Sequence, residues 1–256
     1  MTELPPATDS GLAAWLAGRA GELLLGLREE MGFDDAAALR DAGDKSSHEF
    51  LVGELTRWRP ADAVLSEEGV DDPRRLAADR VWIVDPLDGT REFGEPGRTD
   101  WAVHVGLWCR KPSPGLCSGA IALPAQHRVL SSVAAPAYPP MIQGRRVLLA
   151  ASRTRPPAFL ETVAGMLEAD LVPMGSAGAK IAAVIEGTVD AYVHAGGQYE
   201  WDSAAPVAVA LATGLHASRL DGSPLEYNRE DPRLPDLVVC RKDLAPRLLA
   251  AVSTCL

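Results

Sequence analysis

Apolar residues near the start of the chain recur at helical spacing. Leu12, Trp15, Leu16, Leu23, Leu24 and Leu27 share one side of a 3.6-residue period, and Asp9-Ser10 ahead of them can cap a first helix. A second helical pattern runs from about Ser47 to Trp58, with Leu51, Leu55 and Trp58 on one face, and Pro60 ends it. The period then shortens. "AVLSEE" (63–68) predicts a short strand, the charged "GVDDPRRLAADR" a loop, and Val81 to Val84 a strand that is apolar throughout, as where both faces are covered. "WAVHVGLW" (101–108) alternates with period two and predicts an antiparallel strand, and "GLCSGAIALPAQHRVLSSV" adds two more in hairpin fashion.

The aperiodic, proline-rich "AAPAYPPMIQGR" (134–145) is the expected boundary between a unit at 1–138 and another at 145–256. Strand and helix alternate beyond it. "RRVLLAAS", "LVPM" and "VDAYVHAG" predict strands, "PAFLETVAGMLEA", "GAKIAAVIEG" and "DSAAPVAVALATG" predict helices, and "DLVVCR" and "LAPRLLAAVS" close the chain. The expected class is α/β, an α+β first part followed by an α/β second part.

Composition narrows the function. Of 256 residues, 47% are hydrophobic, enough for a substantial core, and the net charge is −10. A surface this acidic repels polyanions, which argues against a nucleic-acid polymer as partner. "MTELPPATDS" has no basic region and no apolar stretch, so no signal peptide is expected, and no run approaches a bilayer span. A cytoplasmic protein with no membrane partner is expected. Cys109, Cys117, Cys240 and Cys255 lack C-x-x-C spacing, so free thiols are expected rather than a disulfide or a zinc site. His48, His104, His127, His194 and His216 show no paired spacing and are expected to be structural or superficial.

The chemistry concentrates in "VWIVDPLDGTREF" (81–93), which sets an apolar strand against Asp85 and Asp88. Pro86 has no N–H for a central ladder, so the strand is expected to stop at Asp85. Both carboxylates then project from the carboxyl end, where α/β proteins place ligands. Two anions so close raise each other's free energy unless a cation lies between them, and a divalent metal is the natural occupant. Gly89 lets an anion approach the backbone, free N–H groups at a helix start bind phosphate oxygens, and the Thr90 hydroxyl can orient a water. Asp-x-x-Asp alone is more often a turn. The complete string is far more specific.

Further carboxylates are Glu67 and Glu68 after the short strand, Asp202 in "YEWDSAAP" and Asp44 in "AGDKSS". Each has an ordinary explanation: a solvated pair, a helix cap, a loop charge. An all-oxygen donor set would select Mg2+ or Mn2+ over zinc.

Together "SEE" (66–68), "DPLDGTREF" (85–93) and "EWDSAAP" (200–206) resemble the inositol monophosphatase superfamily. A basic residue with Glu-Phe after D-G-T, "ASRTR" (151–155) and "GSAGAKIAAVIEGTVDAYVH" resemble its CysQ-type 3′(2′),5′-bisphosphate nucleotidase branch. The resemblance implies a layered αβαβα sugar-phosphatase-like fold and two or three Mg2+ ions, which Mn2+ can replace. Glu67, Asp85 and the Leu87 carbonyl would hold one ion; Asp85, Asp88 and Asp202 would hold the second. Asp44, with a third metal, would position the attacking water; Asp44, Glu67 and Thr90 are the implied catalytic residues. Gly89 and Thr90 would receive the phosphate through their N–H groups. Leu87, Asp88, Ser152, Arg153, Ser176, Lys180 and Asp202 complete the implied substrate contacts.

The implied reaction removes the 3′-phosphate of adenosine 3′,5′-bisphosphate, and of its sulfated precursor, in sulfate assimilation, by a lithium-sensitive homodimer. Inositol monophosphatase or fructose 1,6-bisphosphatase activity is the enzymatic alternative, and a catalytically idle phosphate-binding module is the other. One segment departs from the family: "ALRDAGD" (38–44) stands where S-P-V-T-x-A-D is usual, with Asp41 at the threonine position and Lys45 after the aspartate. The departure bears on the third metal and on Asp44.

Overall fold

The computed structural model describes residues 4–140 and 144–256. Part of the expected boundary stretch, residues 141–143, lies outside them. Two long helices lead the chain, α1 (Asp9–Met31) and α2 (Ala36–Trp58). The side chain of Thr8, one residue before the expected cap, accepts the Gly11 N–H at 3.2 Å. Asp35 caps α2, accepting from the Ala38 N–H at 2.9 Å. The second helix thus begins well before Ser47, because Ala, Leu and Arg favour helix where no apolar stripe announces it. Asp44 consequently sits on a helix, not in a loop.

The first sheet has the order β1-β2-β3-β4-β5, from β1 (Ala63–Ser66), β2 (Arg80–Asp88), β3 (Ala102–Cys109), β4 (Gly115–Leu123) and β5 (Arg128–Ser131). Only β1 and β2 run parallel; the other neighbours are antiparallel. The segment expected as loop between β1 and β2 contains a 3₁₀ turn, Pro73–Ala77, anchored by buried Arg75, which donates to Asp71 and to Asn228. A short helix α3 (Thr90–Phe93) follows β2.

The second sheet has the order β7-β6-β8-β10-β9, from β6 (Val147–Ser152), β7 (Ala169–Met174), β8 (Ala191–Tyr199), β9 (His216–Ser218) and β10 (Arg233–Cys240). Strand β9 has no signature in the sequence pattern. Helices α4 (Leu160–Leu167), α5 (Ala177–Ile185), α6 (Glu200–Thr213) and α7 (Ala245–Cys255) complete the chain.

Alternation along β2 builds the layers. Trp82 and Val84 join Leu12, Leu16, Leu51 and Leu55 of α1 and α2, whereas Val81 and Ile83 face Ile181, Val184 and Val207 of α5 and α6. The same inner core takes Tyr192 and Leu237 from the second sheet, while Leu149, Val193 and Val238 pack against α4 and α7 on its far face. The order of layers is helix, sheet, helix, sheet, helix, as the resemblance implies. Among the described residues no helix is long and apolar enough to cross a membrane.

Close approach of α6 to the first sheet depends on missing side chains. A Cβ on Gly119 would lie 2.6 Å from the Ala205 carbonyl oxygen and 2.7 Å from the Ala208 Cβ. Gly119→Ala is expected to destabilise the fold by about 1–3 kcal/mol through overpacking, read as a lower urea midpoint at unchanged slope.

Two expectations are corrected here. Strand β2 does not stop at Asp85: Asp85 pairs with His104 and Asp88 with Ala102, so Pro86 and Leu87 oppose Val103 alone. This β-bulge is where a ladder tolerates a proline. Second, Cys109 and Cys117 form a disulfide, while Cys240 and Cys255 are free. Antiparallel pairing of β3 with β4 makes the two residues neighbours, with Cα atoms 6.0 Å apart, and Cys117 is the extra residue of a bulge beside Leu116. Spacing along the chain carries no trace of that proximity.

Candidate active site

The bulge in β2 brings Asp85 and Asp88 together at the strand end, and the first turn of α6 adds Asp202. One carboxylate oxygen from each lies within 4.8 Å of the others. Local bonds stiffen the D-P-L-D-G-T loop: the Leu87 N–H donates to Asp85 Oδ1 at 3.0 Å, and the Thr90 hydroxyl donates to the Leu87 carbonyl at 3.1 Å. That hydroxyl also lies 3.5 Å from Asp44 Oδ1. Gly89 turns the chain into α3 with φ +86°, and a Cβ there would meet Ser176 Cβ at 3.1 Å. Only glycine suits that corner.

The electrostatics split the carboxyls into two kinds. Burial and repulsion from Glu67 and Asp88 push Asp85 well up. Burial, then Asp88, lifts Asp202 to about 7, although its carboxylate accepts the Tyr199 N–H at 2.7 Å. Glu67 remains accessible at the mouth. Partial burial of its carboxyl end, with repulsion from Asp88, Glu68 and Asp44, still raises it to about 7. Asp44 reaches about 7 through burial and Glu68. Asp88 goes the other way. Burial opposes its charge, but His104, the Ser176 hydroxyl at 2.5 Å and the Gly178 N–H at 2.6 Å outweigh burial and hold it at about 2. The cluster cannot carry its full negative charge unaided, and all its donors are oxygen. Both facts fit hard divalent cations.

One cavity of about 320 Å3 is lined by Glu67, Asp85, Leu87, Asp88, Gly89, Thr90, Ser152, Arg153, Ser176, Lys180 and Asp202. Every site residue named from the sequence except Asp44 is therefore on its wall, and Asp44 stands behind Thr90. Their states differ from simple expectation. Arg153 pairs with Glu92 and lies 3.4 Å from Asp100. The Ser176 hydroxyl caps α5, accepting the Ala179 N–H at 2.9 Å, and spends its own proton on Asp88. Lys180 is buried rather than exposed, its Nζ donating to the carbonyls of Gly175 at 3.1 Å and Ser176 at 2.6 Å, and burial lowers its pKa.

His104 is structural, as expected, but ties the site to β3, and the expectation is corrected at His194. His104 is fully buried, with Nδ1 3.1 Å from the Trp201 carbonyl oxygen and Nε2 3.3 Å from Asp88 Oδ2. A Cβ on Gly178 would come within 1.9 Å of that Nε2, so β3 and the start of α5 meet at this ring. His194 lines the cavity, as do Tyr192 and Gln198, none of them singled out by motif. A lone polar residue interrupting the alternation of "WAVHVGLW" was the one available signal for His104.

An αβαβα sandwich with this acidic cleft at strand and helix ends is the architecture of the inositol monophosphatase family, and the chain belongs to it. The model of the Inositol monophosphatase family matches residues 14–137 and 141–256. The 3′-phosphoadenosine 5′-phosphate phosphatase of Mycobacterium leprae is 54% identical over 254 residues, covering 96% of this chain and 93% of the relative. The protein of the same name from Mycobacterium bovis is 55% identical over 239 residues, covering 91% and 89%. Among solved structures, CysQ from Bacteroides thetaiotaomicron superposes with a TM-score of 0.76 at 28% identity, covering 90% of this chain and 96% of that one.

Proposed function

We propose that the protein is a Mg2+-dependent phosphomonoesterase that removes the 3′-phosphate of adenosine 3′,5′-bisphosphate. The observation that carries the reading is the convergence of Asp85, Asp88 and Asp202 within 4.8 Å, beside the Thr90 hydroxyl. The substrate follows the names of the mycobacterial relatives, which match nearly the whole chain.

Glu67, Asp85 and the Leu87 carbonyl would hold one ion, and Asp85, Asp88 and Asp202 another. Dications bound there would acidify a water and offset charge on the phosphoryl oxygens. The chain supplies the rest. Thr90 orients the attacking water, and on its approach the Thr90 hydroxyl turns from the Leu87 carbonyl to Asp44, which is lifted to about 7 and takes the proton passed through it. The N–H groups of Gly89 and Thr90 receive phosphoryl oxygens at the start of α3. Water attacks phosphorus in line and gives up a proton toward Thr90 and Asp44, the bond to the ribose 3′-oxygen breaks, and that oxygen takes a proton from a second water as it leaves. Buried Lys180 sets an amine in the cavity wall, where burial works against its charge and Asp88, Glu92 and Asp202 work for it.

Phosphate release with Mg2+, compared across adenosine 3′,5′-bisphosphate, inositol 1-phosphate and fructose 1,6-bisphosphate, tests the reading. The nucleotide is expected to lead the others in kcat/KM by about tenfold or more. A lead for either sugar-type ester overturns the substrate; no release from any of the three overturns the enzyme.

A further inference from the structure

The stretches "REF" (91–93) and "ASRTR" (151–155), far apart in the chain, meet at the cavity wall, where Arg91, Glu92, Arg153 and Arg155 all join the lining. The arginines differ in state. Among the described residues Arg91 and Arg155 pair with no carboxylate, whereas Arg153 faces two: one terminal nitrogen pairs with Glu92, and the other lies 3.4 Å from Asp100 Oδ2. Both carboxylates are buried, Glu92 being 6% and Asp100 8% exposed. A planar guanidinium can span two such acceptors; a compact ammonium cannot. A phosphate approaching Arg153 would meet two anions already set against its charge, so little attraction is left for a third.

The partners of Arg153 belong to the two segments that shape the phosphate end of the cavity. Glu92 is on α3, whose start carries Gly89 and Thr90. Asp100 accepts the Gly175 N–H at 2.6 Å, and the N–H of Arg153 itself donates to the Met174 carbonyl at 3.1 Å. A Cβ on Gly175 would lie 2.3 Å from Glu92 Cδ, so the backbone there rests directly on that carboxyl group. Ser176 follows with φ +50° and ψ 132°, a conformation that a residue with a side chain keeps only when its surroundings impose it. From that corner the Ser176 hydroxyl donates to Asp88. One guanidinium thus braces α3 on one side and the corner that orients Asp88 on the other.

We infer that Arg153 is a positioning residue, which acts through Glu92 and Asp100 to fix the start of α3 against the corner at 174–176 and does not itself hold the substrate. The inference rests on the nucleotidase reading above. It gives Arg153 a different role from the substrate contact that the resemblance implies.

Arg153→Lys keeps the positive charge and loses the fork that spans both carboxylates. With Mg2+, its kcat on adenosine 3′,5′-bisphosphate is expected to fall by about tenfold or more while KM stays within about threefold, the pattern of misplaced groups rather than of a lost binding contact. Glu92→Gln removes no cation and is expected to do the same, and the double variant to be within about twofold of the slower single one. Adenosine 3′-phosphate, which lacks the second phosphate, is expected to lose kcat by the same factor. A rise in KM confined to the bisphosphate makes Arg153 a substrate contact and overturns the inference, leaving the nucleotidase reading intact. Normal kcat beside a lowered urea midpoint overturns it too, since the pair would then brace the fold alone. Should Arg153→Lys fail to fold, Glu92→Gln carries the comparison of kcat with KM by itself. No phosphate release from the bisphosphate by the unaltered protein removes both readings together.

Discussion

Replacing Asp88 by asparagine is expected to lower phosphate release by about three orders of magnitude or more, since charge stabilisation by metal and donors supplies most of the barrier reduction in such sites. The change is nearly isosteric, but Asp88 carries two duties. Its oxygens accept from the Ser176 hydroxyl, from the Ala177 N–H at 3.1 Å and from the Gly178 N–H, so it also serves as the anion at the start of α5. An amide keeps one acceptor and turns an NH2 group toward donors. A stability loss of about 1–2 kcal/mol follows from the lost cap and charge. In a protein of 256 residues that is about 2–8 °C in Tm, which leaves the fold populated at assay temperature. The decisive measurement pairs the rate with far-ultraviolet circular dichroism and a Mg2+ titration followed by thermal shift. A folded variant that retains near-normal turnover would remove Asp88 from the metal site.

The second large effect is a coupling between pH, divalent metal and stability. Glu67 and Asp202 rise from ordinary values of 4.5 and 3.8 to about 7 in the folded chain, and Asp85 rises as well. A carboxyl whose pKa is raised by folding binds its proton more tightly folded than unfolded. Its contribution to stability is full below the unfolded value, near 4, and is lost as pH climbs through the folded value, near 7. Asp88, held at about 2, contributes in the opposite sense, but its window lies below pH 4. After chelation, Tm is therefore expected to fall by about 5–10 °C between pH 5 and pH 8. Saturating Mg2+ should flatten the slope and raise Tm most at the alkaline end, because binding displaces the same protons. Calorimetric scans across that range, with EDTA and with Mg2+, check it. A chelated protein with a flat profile, or one that Mg2+ leaves unmoved, would mean these carboxyls do not hold a cation.

Features that depend on near neighbours in the chain were legible early. The apolar run at 81–84, and Gly89 and Thr90 after two aspartates, are local chemistry, and the strand and the turn they predict are present. The same holds for most helices and strands after residue 145. The half of α2 before Ser47 was not legible, because helix propensity without a stripe leaves no periodic mark. Continuation of β2 through Pro86 was hidden for another reason: a proline is compatible with a ladder only at a bulge, and the bulge is set by pairing with β3.

Residue types at telling positions marked Asp85, Asp88, Gly89 and Thr90 as chemistry before any coordinates. What only the packed chain decided is how they are charged and what stands behind them. Asp88 is held at about 2 because α5 and His104 meet it, Asp202 is pushed up to about 7 because it is buried beside Asp88, and Cys109 finds Cys117 across a hairpin. Charge state and partnership depend on distances of a few ångströms between segments far apart in sequence, and the order of residues does not contain those distances.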